Sequence, residues 1–176
     1  MVTVDELKAW LAATILFLVA VVLTGCATIR ANIETQAKWQ RMADEVTTAN
    51  HVAPIPVRLV DGLNGQYRCR ENVIALGTDA TPWLLAHEIG HYVLAHGCTE
   101  SLATEEAANS FAVQAMQVWG YSERDAVTRT VRILIDAQRR HVSIPAHAWC
   151  QEADDVLRRY PTPGVVLDGP CSTAAR

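Results

Sequence analysis

The sequence has no surplus of positive charge. Fifteen Lys and Arg stand against nineteen Asp and Glu, for a formal net charge of -4, and the basic residues are scattered rather than clustered. Nucleic-acid binding rests on a basic patch that neutralises phosphates, so no nucleic-acid partner is expected. Internal repeats and low-complexity tracts are also missing, which excludes solenoids and disordered linkers; with half of the residues apolar, the composition is globular. No two cysteines stand at the close spacing used by structural zinc sites. At 176 residues there is room for one folded unit behind an N-terminal address segment.

What is present begins with an apolar run over residues 9–24, ending in Leu23-Thr24-Gly25-Cys26-Ala27. That ending resembles the lipobox of bacterial lipoproteins, where a signal peptidase cuts before the cysteine and the new N-terminal Cys carries lipid. The resemblance implies residues 1–25 as a signal peptide and lipid attachment at Cys26. It also implies attachment to the bacterial cell envelope membrane, facing the periplasm or exterior. The other reading is an uncleaved membrane anchor, because the run is also long enough to span a bilayer. Charge opposes export in either form: Lys8 lies beside Asp5 and Glu6, whereas Arg30, Lys38 and Arg41 follow the run, and positive charge stays inside. The remaining cysteines favour export. Cys69, Cys98, Cys150 and Cys171 are an even number suited to two disulfide bonds in any of three pairings, against the alternative of four buried free thiols in a reducing compartment.

Ile29, Ile33, Trp39, Met42 and Val46 recur at helical spacing and predict an amphipathic helix over residues 28–49 that packs across the folded unit. Ile55, Val57 and Leu59 alternate as a strand, Asp61-Gly62 and Asn64-Gly65 signal a turn, and a second strand through Tyr67 to Leu76 completes a hairpin. Arg68 and Arg70 read as a solvated strand face. Thr81-Pro82 starts a helix that Gly97 stops. Further helices are expected over residues 104–119, from Ser122-Glu123-Arg124-Asp125 to about 141, and over 146–160, before a Pro- and Gly-rich tail that Cys171 staples. Trp83, Trp119 and Trp149 read as packing residues.

The helix after Thr81 contains His87-Glu88-Ile89-Gly90-His91, an HExxH pattern. Positions four apart share a helical face, so both imidazoles reach one cation, while Glu88 is turned by about a hundred degrees, where a general base touches a metal-activated water. A catalytic zinc site takes a third protein ligand and keeps one open position. Glu105, on the next helix, is the candidate, with adjacent Glu106 as its rival; Asn109, four residues after Glu105, supplies an amide that orients a ligand. Gly90 within a helix points to close approach of a neighbouring backbone. His96, five residues after His91, is turned off the ligand face and reads as a surface or capping residue. Tyr121, His141 and His147 are candidates for steadying an oxyanion, with nothing in the sequence aiming them at the metal.

Glu105-Glu106-Ala107-Ala108-Asn109 after HEIGH resembles the gluzincin metallopeptidases, in which HExxH is followed by a glutamate on a second helix and, four residues later, Asp or Asn. The wider stretch EEAANSFA looks most like the ImmA/IrrE-type peptidases and the membrane-associated Ste24/HtpX-like branch, over roughly residues 70–120. The resemblance implies an α+β fold, a zincin-like minimal domain over residues 26–176, mostly helical with a small β-hairpin sheet. It implies one zinc ion on His87, His91 and Glu105, and a metallopeptidase with Glu88 as catalytic base acting on a peptide or protein substrate. It also implies that the strand Val73–Leu76 pairs with extended substrate. Two other functions stay open: a catalytically idle zinc-binding envelope lipoprotein that binds a partner, and a cytoplasm-facing regulatory protease that cleaves a repressor.

Overall fold

A long helix ends just before a left-handed turn at His51 (φ 57°), a small sheet follows, and four helices come after it, the first of which packs against the sheet. This architecture is seen in a computed structural model that describes residues 4–62, 65–99, 101–140 and 147–172, with residues 4–9, 11–13, 23–31 and 147–148 described by backbone alone. The order is α1 (Val4–Ala49), β1 (Val57–Leu59), β2 (Gly65–Arg68), β3 (Val73–Leu76), α2 (Pro82–Val93), α3 (Leu102–Val118), α4 (Glu123–Arg140), α5 (His147–Arg159) and a final 3-10 turn, Gly169–Cys171. The protein is therefore mostly helical with a small three-stranded sheet, as expected for an α+β chain.

The chain divides into two units, Met1–Lys38 and Trp39–Arg176. The first is the α1 portion up to Lys38, with exposed apolar side chains such as Trp10, Leu16 and Phe17. Among the described residues, no helix is long and apolar enough to cross a membrane. Cys26, the expected site of lipid attachment, falls within α1, and its side chain lies outside the described residues.

Of the expected amphipathic stripe of α1, Trp39 and Val46 are buried in the core of the second unit, with Ala43 beside them and Met42 packed against it, whereas Ile33 is exposed and the Ile29 side chain lies outside the described residues. The sheet differs from the expected hairpin. The stretch from Tyr67 to Leu76 is two strands, turned at Asn72 in a left-handed conformation (φ 50°), and these form the antiparallel hairpin β2–β3. β1 instead runs parallel to β3 on its other side, with Val57 opposite Ile74, giving the order β1-β3-β2. Burial explains the arrangement: β3 (VIAL) is apolar and buried at every position, as suits a central strand, whereas no residue of β2 is fully buried, as suits an edge. Both edges of β3 are occupied, so the expectation that β3 pairs with a substrate fails on geometry; the edge strand beside α2 is β2.

Helices α2, α3 and α4 start where their capping chemistry lies. Thr81 Oγ1 accepts from the Leu84 N–H with Pro82 in the first turn, and Ser101 and Thr104 form a reciprocal capping box on α3. Ser122 Oγ accepts from the Asp125 N–H at the start of α4. α2 ends at Val93, three residues earlier than its expected end, because the chain turns left-handed at Ala95 (φ 54°) before reaching Gly97. α2 and α3 are pressed together at Gly90, where a Cβ would lie 3.1 Å from Ala108 Cα. The missing side chain lets the two backbones approach, as the isolated glycine implied.

The cysteines pair as Cys69–Cys98 and Cys150–Cys171. The first ties the end of β2 to the loop after α2, and the second ties α5 to the C-terminal 3-10 turn.

Candidate metal centre

α2 presents His87 and His91 on one face, one turn apart, and α3 brings Glu105 against them through the Gly90 contact. The His87 and His91 Nε2 atoms lie 3.1 Å apart. Glu105 Oε2 is 3.2 Å from His87 Nε2 and its Oε1 is 3.5 Å from His91 Nε2. Among the described residues this is the group of three side chains arranged to hold a metal ion, and Glu106, the rival ligand, is not part of it.

The tautomer of His87 follows from its outer contacts. His87 Nδ1 lies 2.9 Å from Asn109 Oδ1, an acceptor, and Asn109 Nδ2 donates to Glu152 Oε2 at 2.8 Å. His87 therefore carries its proton on Nδ1 and turns the Nε2 lone pair towards the other ligands. His91 Nδ1 lies 3.0 Å from His96 Nδ1. Burial, with His91 alongside, lowers the pKa of His96 and favours its neutral form. The sequence expectation for His96 is thus corrected: an unbroken helix would turn it away, but the left-handed turn at Ala95 brings its ring back over His91.

Three electron-pair donors facing one another at these separations repel unless a proton or cation lies among them. Tetrahedral zinc with bonds of about 2.0–2.1 Å has ligand-to-ligand edges of about 3.3 Å. The observed edges of 3.1, 3.2 and 3.5 Å match that size, and the donor set of two imidazoles and a carboxylate suits a borderline divalent ion. The residues therefore fit a metal.

The electrostatics agree. Burial opposes charge on His87, but its contact with Glu105 and the nearby Glu88 and Glu105 carboxylates outweigh burial and raise its pKa. Burial likewise pushes Glu105 up, but contacts with His87 and His91 prevail and bring it down to about 2. The cluster is electronegative and favours a positive guest.

Glu88, also buried, projects from α2 beside the ligand face, and its Oε2 accepts from the Tyr67 N–H at 2.6 Å. Burial raises its pKa, against the opposing effects of His87, His91 and that hydrogen bond. Glu88 and the three candidate ligands line a cleft of about 1180 Å³ bounded by β2, by the Cys98 loop and by Trp149 and Glu152 of α5. Arg68 and Arg70 border the same cleft, Arg68 lying 3.7 Å from Glu71.

Trp83 stacks on His87 with ring centroids 5.2 Å apart, and Trp119 Nε1 donates to the Met42 carbonyl, so both pack as expected. Trp149 does not only pack, since it lines the cleft. Tyr121 lies under the Arg129 guanidinium and is not among the cleft residues, so it is not placed to steady an oxyanion there. His141 and the His147 side chain lie outside the described residues. Glu152 was missed by sequence reasoning. The signal was an acidic residue on the same helical stripe as Trp149, Ala153 and Val156, where an apolar side chain belongs. No protein-family profile, curated protein or solved structure matches this chain.

Proposed function

We propose that the protein is a zinc-dependent endopeptidase with a zincin-like catalytic unit. The observation that carries this reading is the convergence of His87, His91 and Glu105 at tetrahedral spacing, with a buried Glu88 in the same cleft. The likeness of HEIGH and EEAAN to the gluzincin signature supports it, as does the succession of strand, motif helix and ligand helix.

Zinc bound there would polarise a carbonyl as a Lewis acid and lower the pKa of water from 15.7 to about 7. His87, His91 and Glu105 would hold it. Glu88 would take the proton from the attacking water and pass it to the departing amine; the Tyr67 N–H fixes its carboxylate, and burial raises its pKa above the ordinary carboxylate value. β2 borders the cleft as an edge strand, so an extended peptide would lie along it rather than along β3, gaining main-chain hydrogen bonds.

Two disulfides support an oxidising compartment. Together with the lipobox, they favour a bacterial envelope protein attached through lipidated Cys26 or an N-terminal helix and facing the periplasm or exterior. Metal analysis and peptide-library cleavage, run on wild type and Glu88→Gln, test the reading. Stoichiometric zinc in both, with cleavage only in wild type, supports it; a wild type without zinc, or equal cleavage by both, overturns it.

A further inference from the structure

The amide of Asn109 is one link in a longer chain. His87, Asn109 and Glu152 are all buried, at 8%, 0% and 3% exposure, and are joined end to end by contacts of 2.9 and 2.8 Å. Asn109 offers its acceptor to the imidazole and its donor to the carboxylate, so it can transmit polarisation but supplies no charge of its own. Metal-binding histidines commonly present their second ring N–H to a carboxylate, which fixes the tautomer and raises the basicity of the ligating nitrogen. Here the charge stands one residue farther out, on a helix that enters the sequence more than forty residues after the ligand helix position it serves.

The setting favours that role over simple packing. Glu152 occupies a position on α5 where neighbours Ala153 and Val156 are fully buried, and an acid in such surroundings is costly unless it is paired. α5 packs on both α3 and α4, and Cys150, two residues before Glu152, is bonded to Cys171. The carboxylate is thus held by a covalently braced helix.

We infer that Glu152 is a positioning residue of the metal centre: acting through Asn109, its carboxylate sets the orientation and basicity of His87 and strengthens cation binding. This rests on the reading that His87, His91 and Glu105 hold a divalent ion.

Zinc dissociation constants of the full-length chain in detergent micelles, read by competition with a chromogenic chelator, test it. Glu152→Gln retains an acceptor for Asn109 and removes only the charge, so it should weaken zinc binding about tenfold, and Glu152→Ala up to about a hundredfold. The double variant Asn109→Asp with Glu152→Gln moves the carboxylate into direct contact with His87, and the introduced amide donates to it. That variant should return to within about threefold of wild type, a rescue that mere loosening of the fold would not produce. The His87 Nδ1–H resonance, observed by ¹⁵N NMR, should shift in Glu152→Gln. Equal zinc affinity in Glu152→Gln and wild type, or a double variant no tighter than Glu152→Gln, overturns the relay while leaving the metal centre standing. Failure of wild type to take up zinc removes the metal centre itself, and the relay with it.

Discussion

The Tyr67 N–H donates to Glu88 Oε2 at 2.6 Å, so a backbone group of the edge strand fixes the carboxylate that stands beside two histidines on α2. Strand β2 thereby does two things: it borders the cleft and aims Glu88. The geometry depends on β2 being at the sheet edge, since a central strand would have that N–H paired in a ladder.

Glu88→Gln should leave zinc content unchanged and lower peptide hydrolysis by about 10²–10⁴-fold, the range that positioned acid–base catalysis contributes. The amide keeps the volume and an acceptor for Tyr67 but loses basicity. Metal analysis beside a cleavage assay reads both quantities.

His87→Ala should lose the metal and unfold at lower temperature than wild type, because binding to the folded state adds to stability. A chelator should lower the melting temperature of wild type and leave that of His87→Ala unmoved. Paired melting curves decide this.

Gly90→Val should destabilise the fold by roughly 1–3 kcal/mol and weaken metal binding. A Cβ at that position already sits 3.1 Å from Ala108 Cα and 3.2 Å from Ala108 O, so a branched side chain forces α3 and Glu105 away from the histidines. Urea denaturation and zinc titration measure the two effects.

Replacing Cys150 and Cys171 together by alanine should cost about 2–4 kcal/mol, the usual range for a disulfide. Because α5 carries Glu152, zinc affinity should fall as well. Stability loss with affinity intact would show that α5 keeps its place without the bond.

Burial holds the Glu152 carboxyl up at about 7, against the pull of its hydrogen bond from Asn109. The folded state of the chelator-treated protein therefore favours the protonated form. The stability this contributes is full below the ordinary value of 4.5 and is lost as pH rises through about 7. The unfolding free energy of wild type minus that of Glu152→Gln should accordingly fall, by at most ~3 kcal/mol, between about pH 4.5 and pH 8. Glu105, displaced to about 2, acts in the opposite sense and at lower pH, and is common to both proteins. Denaturant titrations across the range, with the metal chelated, test the slope; a flat difference sinks it.

What the sequence determined on its own is whatever a single turn or a single periodicity encodes. His87 and His91 four apart on a helix, Thr81 and Ser122 as caps, Gly90 as a close-approach point, and Glu105 with Asn109 on one face of the next helix were all legible, because helical geometry is fixed by nearest neighbours along the chain. Only the tertiary structure decided which partners meet across long separations. It split the expected second strand into β2 and β3 and ran β1 parallel to β3 rather than in a hairpin, chose one cysteine pairing among three, returned His96 to His91 through a left-handed turn, and brought Glu152 from α5 to Asn109. Those choices come from burying apolar surface and satisfying buried polar groups over the whole unit, and no local window of residues contains that information.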